Sequence, residues 1–188
     1  MRIANLTKSF NGKSVFNNYC VEFEKGKINY LMGESGVGKT TLLRIISGLD
    51  KEYSGDISFE GRLAYVFQEP RLFPTINVLK NLKLVNDSPS LNAKKLLKTV
   101  ELNGCEDMLP SELSGGMKMR LSIARAIYYD PDIILMDEPF ASIDEEMKDR
   151  IAQKIFKLLN GKTIIIVSHD RLDAEKYADK IIEIKKTD

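Results

Sequence analysis

Short runs rich in Ile, Leu and Val recur along the chain at Lys27–Met32, Leu63–Phe67, Ile133–Met136, Thr163–Val167 and Ile181–Ile184, each ending in a polar or Gly-rich turn. Runs without apolar-polar alternation suit strands buried on both faces of a parallel sheet. Helical spacing fills several of the gaps. Thr40–Ser47 follows the first run, Met117, Leu121, Ala124 and Tyr128 fall at i, i+4, i+7 and i+11, and Met147, Ile151, Ile155 and Leu158 form a further stripe. Strands alternating with helices predict an α/β fold with a parallel sheet. The N-terminal stretch differs: Ile3, Leu6, Val15, Tyr19 and Val21 flank Asn11-Gly12, a dipeptide suited to a tight hairpin, so an antiparallel β region is expected there.

From Thr75 to about Glu112 the pattern has helix signals and no convincing strand. Asn92 is placed as an N-cap, Ala93, Leu96, Leu97 and Val100 form an i, i+3, i+4, i+7 stripe, and Gly104 is placed to stop the helix. Asp87-Ser88-Pro89-Ser90 reads as a turn between two helices. The expectation is one domain over residues 1–188, with an α/β core at about 1–74 and 113–188 and an inserted helical subdomain at about 75–112. No internal repeat or low-complexity segment interrupts it.

Composition narrows the chemistry. The 188 residues are long enough for one substantial core. With 28 Lys plus Arg against 27 Asp plus Glu, the net charge of +1 gives no field that would gather nucleic acid or an anionic membrane. The longest unbroken apolar run, Leu63–Phe67, is too short to span a bilayer or serve as a secretory leader. Cys20 and Cys105 stand without a C-x-x-C partner and His169 is the one histidine, which argues against a disulfide scaffold or a zinc site. A reduced, cytoplasmic protein is expected, with chemistry that uses neither thiols nor metal-binding imidazoles.

The strongest chemical signal is Gly33-Glu34-Ser35-Gly36-Val37-Gly38-Lys39-Thr40, after an apolar run and before a helix opening at Thr41-Leu42-Leu43. This is the G-x-x-x-x-G-K-[ST] pattern in its strand, loop, helix setting. Glycines let successive backbone N–H groups turn inward onto phosphates, and the helix N-terminus adds partial positive charge. Lys39 is placed for the β and γ phosphates and Thr40 for Mg²⁺. A second buried run emerges into Asp137-Glu138-Pro139. Ligands of open parallel sheets bind at the carboxyl ends of strands. Asp137 is therefore the candidate for holding Mg²⁺, and Glu138 for accepting a proton from an attacking water. A pair of surface acids capping the next helix is the plainer alternative. His169 ends a further strand run on the same side.

Leu113-Ser114-Gly115-Gly116-Met117 offers a hydroxyl and open N–H groups before an amphipathic helix at 117–129. It is either a second anion site or simply an N-cap with a flexible Gly pair. One nucleotide does not need two cradles from one chain.

Taken in order, Gly33–Thr40, Gln68, Leu113-Ser114-Gly115-Gly116, Asp137-Glu138-Pro139, Ala141-Ser142-Ile143-Asp144 and Ser168-His169-Asp170 resemble the motifs of ATP-binding cassette (ABC) ATPases, over essentially the whole chain. The resemblance implies a P-loop NTPase with a RecA-like core. It also implies a head-to-tail dimer, most simply a homodimer, with two ATP molecules at the interface. Ser114, Gly115 and Gly116 would then clasp the γ-phosphate held by the partner. Gln68 resembles the residue that senses Mg²⁺ and the attacking water, Asp144 the aspartate that meets its counterpart across the dimer, and His169 the switch histidine at the γ-phosphate. Phe10 falls where the family stacks an aromatic on adenine, with a hairpin core aromatic as the alternative.

The chain departs from the family pattern at Met117, where Gln is usual, and is short between Ile57 and Gln68. It ends at Asp188, too soon after His169 for a regulatory C-terminal domain, so a near-minimal cassette is expected. Gln68-Glu69-Pro70-Arg71-Leu72-Phe73-Pro74 resembles the glutamine loop of importer ATPases for nitrate, sulfonates and taurine. Leu72 and Phe73 either receive a partner's helix or close the helical lobe's core. The resemblance thus implies an Mg-dependent ATPase subunit of a bacterial transporter, peripheral at the inner face of the cell membrane. Its partners would be permease subunits and, for an importer, a solute-binding protein, with no nucleic acid. A soluble ABC ATPase of the iron-sulfur assembly type is the alternative, and a non-enzymatic nucleotide sensor a third reading. A GTPase is disfavoured because no Asn-Lys-x-Asp motif occurs.

Overall fold

The computed structural model describes residues 1–86 and 90–185. The turn expected at Asp87–Ser90 therefore lies, for its first three residues, outside the described ones. In chain order the strands are β1 (Arg2–Phe10), β2 (Lys13–Glu22), β3 (Ile28–Met32), β4 (Ser54–Ser58), β5 (Leu63–Val66), β6 (Ile133–Asp137), β7 (Thr163–Val167) and β8 (Lys180–Glu183). The helices are α1 (Lys39–Ile46), α2 (Val78–Lys83), α3 (Ala93–Thr99), α4 (Gly115–Tyr128), α5 (Glu145–Leu158) and α6 (Arg171–Tyr177), with a 3-10 turn at Pro110–Glu112. Residue contacts divide the chain into two compact units. One holds Met1–Leu63, Asp132–Asp137 and the chain from Gly161 onward; the other holds Ala64–Pro131 and Glu138–Asn160.

In the first unit β6, β7, β3 and β8 follow one another in that order, all parallel. Every residue of β6 and β7 is buried, as their unbroken apolar runs predict, whereas β8 alternates between half-buried and exposed. Helix α1 packs against β6 and α6 against β3. Leu42, Leu43, Ile45 and Ile46 of α1 are buried, and each such side chain contributes about 1.5–3 kcal/mol relative to exposure. Asn29 is wholly buried within β3. It accepts from Glu24 N and donates to the carbonyls of Glu24, Lys27 and Ile164, so its polar atoms are satisfied.

The antiparallel N-terminal region is a three-stranded sheet ordered β2-β1-β4. Asn11 (φ 48°) and Gly12 (φ 79°) are both left-handed, as a tight hairpin with right-handed strand twist requires. Asn5, also left-handed at φ 55°, marks a bulge that shifts the pairing register between Ile3 and Leu6. The shift lets Ile3, Leu6 and Lys8 all become buried. Strand β4 was not expected: its sequence, Ser-Gly-Asp-Ile-Ser, is almost entirely exposed and carries no apolar alternation.

The second unit contains α2, α3, α4 and α5. Asn92 caps α3 by accepting from Lys95 N at 3.0 Å, and Ala93, Leu96, Leu97 and Val100 are buried as expected. The helix does not run to Gly104. It stops at Thr99, where Glu101 takes the left-handed position (φ 56°), Glu101 N donates to Lys98 O, and Leu102 N donates to Leu97 O with Leu102 buried. This is the Schellman arrangement, with glutamate where glycine is usual. Buried Arg120 holds that end, donating to Val100 O at 3.0 Å and Glu101 O at 2.7 Å.

Two helical stripes need correction. On α4, Met117 is only half-buried, and Leu121, Ala124 and Tyr128 are only part of a buried surface that also takes in Met119, Arg120, Ser122, Ile123, Ala126 and Ile127. On α5, Leu158 is exposed and Met147 only half-buried. The inward positions are Lys148, Ile151, Ala152, Ile155 and, just past the helix, Leu159.

Candidate nucleotide-binding site

The phosphate loop lies wholly in the first unit. Leaving β3 at Met32, the chain passes through Gly33, Gly36 (φ 79°) and Gly38 (φ 106°) before entering α1. Gly38 is the N-cap of α1, and a Cβ there would lie 2.5 Å from Val15 Cγ1 and 3.0 Å from Phe16 Cζ. Neither the backbone angle nor the space accepts another residue. No side chain caps α1. Its first-turn N–H groups and the positive end of its dipole therefore face the loop. Glu34, Ser35, Gly36 and Thr40 are exposed, Thr41 is half-buried, and Val37 is buried beside Gly33. Lys39 Nζ donates to Gly33 O at 2.7 Å and Glu34 O at 2.9 Å, which sets its ammonium across the loop. Exposed backbone donors, a fixed cation and a helix N-terminus are the chemistry that suits a polyphosphate.

Asp137 ends β6 and is 3% exposed, which removes the reading as a surface acid. His169 follows β7 and is exposed. It lines a cavity of about 510 Å³ together with Gly33, Glu34, Val37, Arg171 and Glu183, so the structure brings the histidine to the phosphate loop. Its neighbours are held firmly. Ser168 Oγ accepts from Asp170 N, and Asp170 caps α6 by accepting from Leu172 N and Asp173 N. Phe10 closes β1 and is 47% exposed, which rules out the alternative of a core aromatic.

In the second unit Glu138 is half-buried and left-handed (φ 47°). That conformation costs a non-Gly residue about 1–2 kcal/mol. The chain then turns through Pro139 and Phe140, with Ala141 N donating to Glu138 O and Ile143 N to Phe140 O. It reaches Asp144, which caps α5 by accepting from Met147 N. Ser114 caps α4 by accepting from Met117 N at 3.2 Å, a bond that is compatible with an anion at the same helix end. Its hydroxyl proton is left available to donate. Gly115 is exposed, and a Cβ on Gly116 would approach Ser142 O to 2.9 Å. The Ser114–Gly116 and Ala141–Asp144 segments therefore abut, which their separation in sequence does not reveal. Gln68 is exposed.

Sequence reasoning missed the device that shapes the loop after Gln68. Asn81 of α2 is wholly buried; its Oδ1 accepts from Phe73 N, and its Nδ2 donates to Phe73 O, Ile76 O and Asn77 O. Arg71 lies over the Phe67 ring at 4.0 Å, and Arg125 donates to Arg71 O. Phe73 is 49% exposed and Leu72 half-buried, so closing the lobe's core does not account for Phe73. An Asn inside a helix, four residues after the Asn77 cap, was the available signal.

The donor set fits ATP and Mg²⁺. Among the described residues no group of three or more His, Cys, Asp or Glu is gathered for a metal. Mg²⁺ is commonly held by one or two carboxylates, waters and substrate phosphates instead of a protein cage. A hydroxyl at Thr40 and a carboxylate at Asp137, both in the first unit, suit that chemistry.

Comparison with known proteins bears on the family. A family model described as ABC transporter matches residues 16–141. An Fe(3+) ions import ATP-binding protein, FbpC 2 of Haemophilus influenzae, is 34% identical over 99% of this chain and 59% of its own length. The aliphatic sulfonates import ATP-binding protein SsuB 1 of Pseudomonas savastanoi pv. phaseolicola is 36% identical over 93% of this chain and 76% of its own length. The chain thus spans somewhat over half of the first relative and about three quarters of the second. Among solved structures, a dimeric post-hydrolysis state of the ATP-binding cassette MJ0796, bound to ADP and Pi, superimposes with a TM-score of 0.83 at 28% identity, covering 98% of this chain and 94% of that one. The resemblance read from the ordered motifs is borne out, including its likeness to sulfonate importers: this chain belongs to the ABC transporter family.

Proposed function

We propose that this chain is the ATP-binding and ATP-hydrolysing subunit of a bacterial ABC transporter, powering solute movement through a separate permease. The observation that carries the reading is the Gly33–Thr40 cradle on an uncapped helix, with His169 in the adjoining cavity. Lys39 and the loop N–H groups neutralise the β and γ phosphates. Thr40, Asp137 and Gln68 would hold Mg²⁺, which would add to the charge neutralisation on the phosphates. Glu138 accepts the proton of the attacking water, and His169 donates to the γ-phosphate as charge develops on it. Phe10 stacks on adenine.

Ser114, Gly115 and Gly116 serve the ATP of a second copy in a head-to-tail homodimer, with Asp144 near the dimer axis. The dimeric form of the cassette neighbours supports this reading. Among the described residues no helix is long and apolar enough to cross a membrane. Attachment to the inner face of the cell membrane then comes from the permease, docked on the Gln68–Pro74 loop where Phe73 is exposed. A solute-binding protein completes an importer. The relatives' names cover iron(III), sulfonates and spermidine or putrescine. Identity of the solute therefore belongs to partner subunits. Nothing favours the soluble assembly-type alternative.

Mixing Ser114→Arg subunits with Lys39→Ala subunits tests the shared site. A mixed dimer retains at most one working site, and two working sites would contradict the arrangement. Co-purification of a permease with the tagged chain from membranes tests the transport reading; its consistent absence counts against it.

A further inference from the structure

The active-site roles above leave several buried cations unused, Lys8 among them. Lys8, on β1 two residues before Phe10, is 3% exposed. Its Nζ donates to Asp50 Oδ1 at 2.9 Å and to Glu52 O at 2.7 Å. The same ammonium lies 4.5 Å from the centroid of the Phe10 ring. Burying a lysine is costly unless it is paired and hydrogen-bonded. Here the pairing joins two parts of the first unit that a nucleotide would need to keep in register. Asp50 N and Leu49 N both donate to Arg44 O in the last turn of α1. That is the helix whose first turn carries Lys39 and Thr40. The chain of contacts therefore runs from the phosphate end of α1, through its C-terminal turn, to Asp50, then Lys8, then the Phe10 ring.

We propose that Lys8 is a positioning residue for the nucleotide base: it fixes the Phe10 ring relative to the phosphate loop and conditions that ring for stacking. An ammonium against one face of an aromatic ring is attracted by its quadrupole. It holds the ring in one orientation and draws electron density from it, which favours stacking of an electron-rich purine on the rest of its exposed surface. The inference rests on the reading that Phe10 stacks on the base. A strap serving stability alone would give the same Lys8–Asp50 bond, but it would leave base recognition untouched.

The test is calorimetric titration of the full chain with Mg·ATP and, separately, with Mg·tripolyphosphate, which has the phosphates and no base. Phe10→Ala is expected to lose about ten- to a hundredfold in ATP affinity with tripolyphosphate binding unchanged. Lys8→Met is expected to lose about three- to tenfold, again for ATP only, and Lys8→Arg to recover most of it. If Lys8→Met weakens both ligands equally, Lys8 is structural and the proposal fails. If it changes neither, the proposal also fails. If Phe10→Ala leaves the ratio of the two affinities unchanged, the stacking reading itself is wrong, and the proposal falls with it. Should Lys8→Met fold poorly, the pair Lys8→Met with Asp50→Asn removes the stranded carboxylate and gives the same reading.

Discussion

Replacing Asn81 with leucine probes how the loop between Gln68 and α2 is held. Leucine has similar volume and restores none of the side-chain hydrogen bonds. Asn77 O still accepts from the backbone N–H of residue 81, so its loss is small. The groups left without their partner are Phe73 N–H, Phe73 C=O and Ile76 C=O. Each such bond contributes about 0.5–1.5 kcal/mol net. Phe73 is exposed, so water can reach part of what is released, and leucine gains some apolar burial. The expected loss is about 2 kcal/mol, which for a chain of this length lowers Tm by roughly 4–8 °C. Urea and thermal unfolding give the magnitude, and amide hydrogen exchange locates it: the Phe73 amide should exchange much faster while β6 and β7 amides keep their protection. Under the proposed function, hydrolysis by the isolated subunit survives and permease coupling falls. A Tm within about 1 °C of wild type, with Phe73 exchange unchanged, would refute the clamp.

Two further predictions follow from single buried groups. Tyr30 Oη on β3 is buried with no hydrogen-bond partner among the described residues, and burial, with Asp173 nearby, pushes its phenol well above the ordinary range. Tyr30→Phe should therefore stabilise the fold by about 1 kcal/mol, read as a higher urea midpoint, and a clear loss would show that the hydroxyl is satisfied. The hydrogen bond from Lys8 holds the Asp50 carboxyl below its usual value. A lowered folded-state value contributes stability above the unfolded value, near pH 4, and loses it as pH falls through the folded one. The gap in unfolding midpoint between wild type and Asp50→Asn should narrow below about pH 4, and a gap that stays constant would show that the bond contributes nothing through ionisation.

What the sequence made legible, and what it did not, divides along a physical line. Strands β3, β6 and β7 announce themselves because burial on both faces demands mostly apolar runs, broken in β3 by the fully hydrogen-bonded Asn29. The hairpin is legible from Asn11-Gly12, and the phosphate loop from glycines whose backbone angles few other residues adopt. These are local constraints. Strand β4 was hidden because its pairing with β1 is carried by backbone hydrogen bonds while its side chains face solvent. Lys8 and Asn81 looked like ordinary surface polar residues, since their burial depends on partners that only the fold supplies: Asp50 for the lysine, backbone groups of the loop for the asparagine. The end of α3 misled for a related reason. Glu101 accepts a left-handed angle beside Arg150 and Lys154, which bond its carboxylate, so glycine was not needed there. Ser114 was legible as a helix cap from residue type alone, whereas the cap made by Asp144 shows only in the structure. Their meaning for a composite site came from the family resemblance.

Under the proposed function this chain hydrolyses ATP with Glu138 as the base, in a dimer that shares its sites. Phosphate release from Mg·ATP by wild type and by Glu138→Gln, run beside size exclusion of both, tests it most directly. Expected are turnover by wild type, a loss of at least about a hundredfold in the variant, and an ATP-dependent dimer that the variant cannot resolve. Undiminished hydrolysis by Glu138→Gln would contradict it.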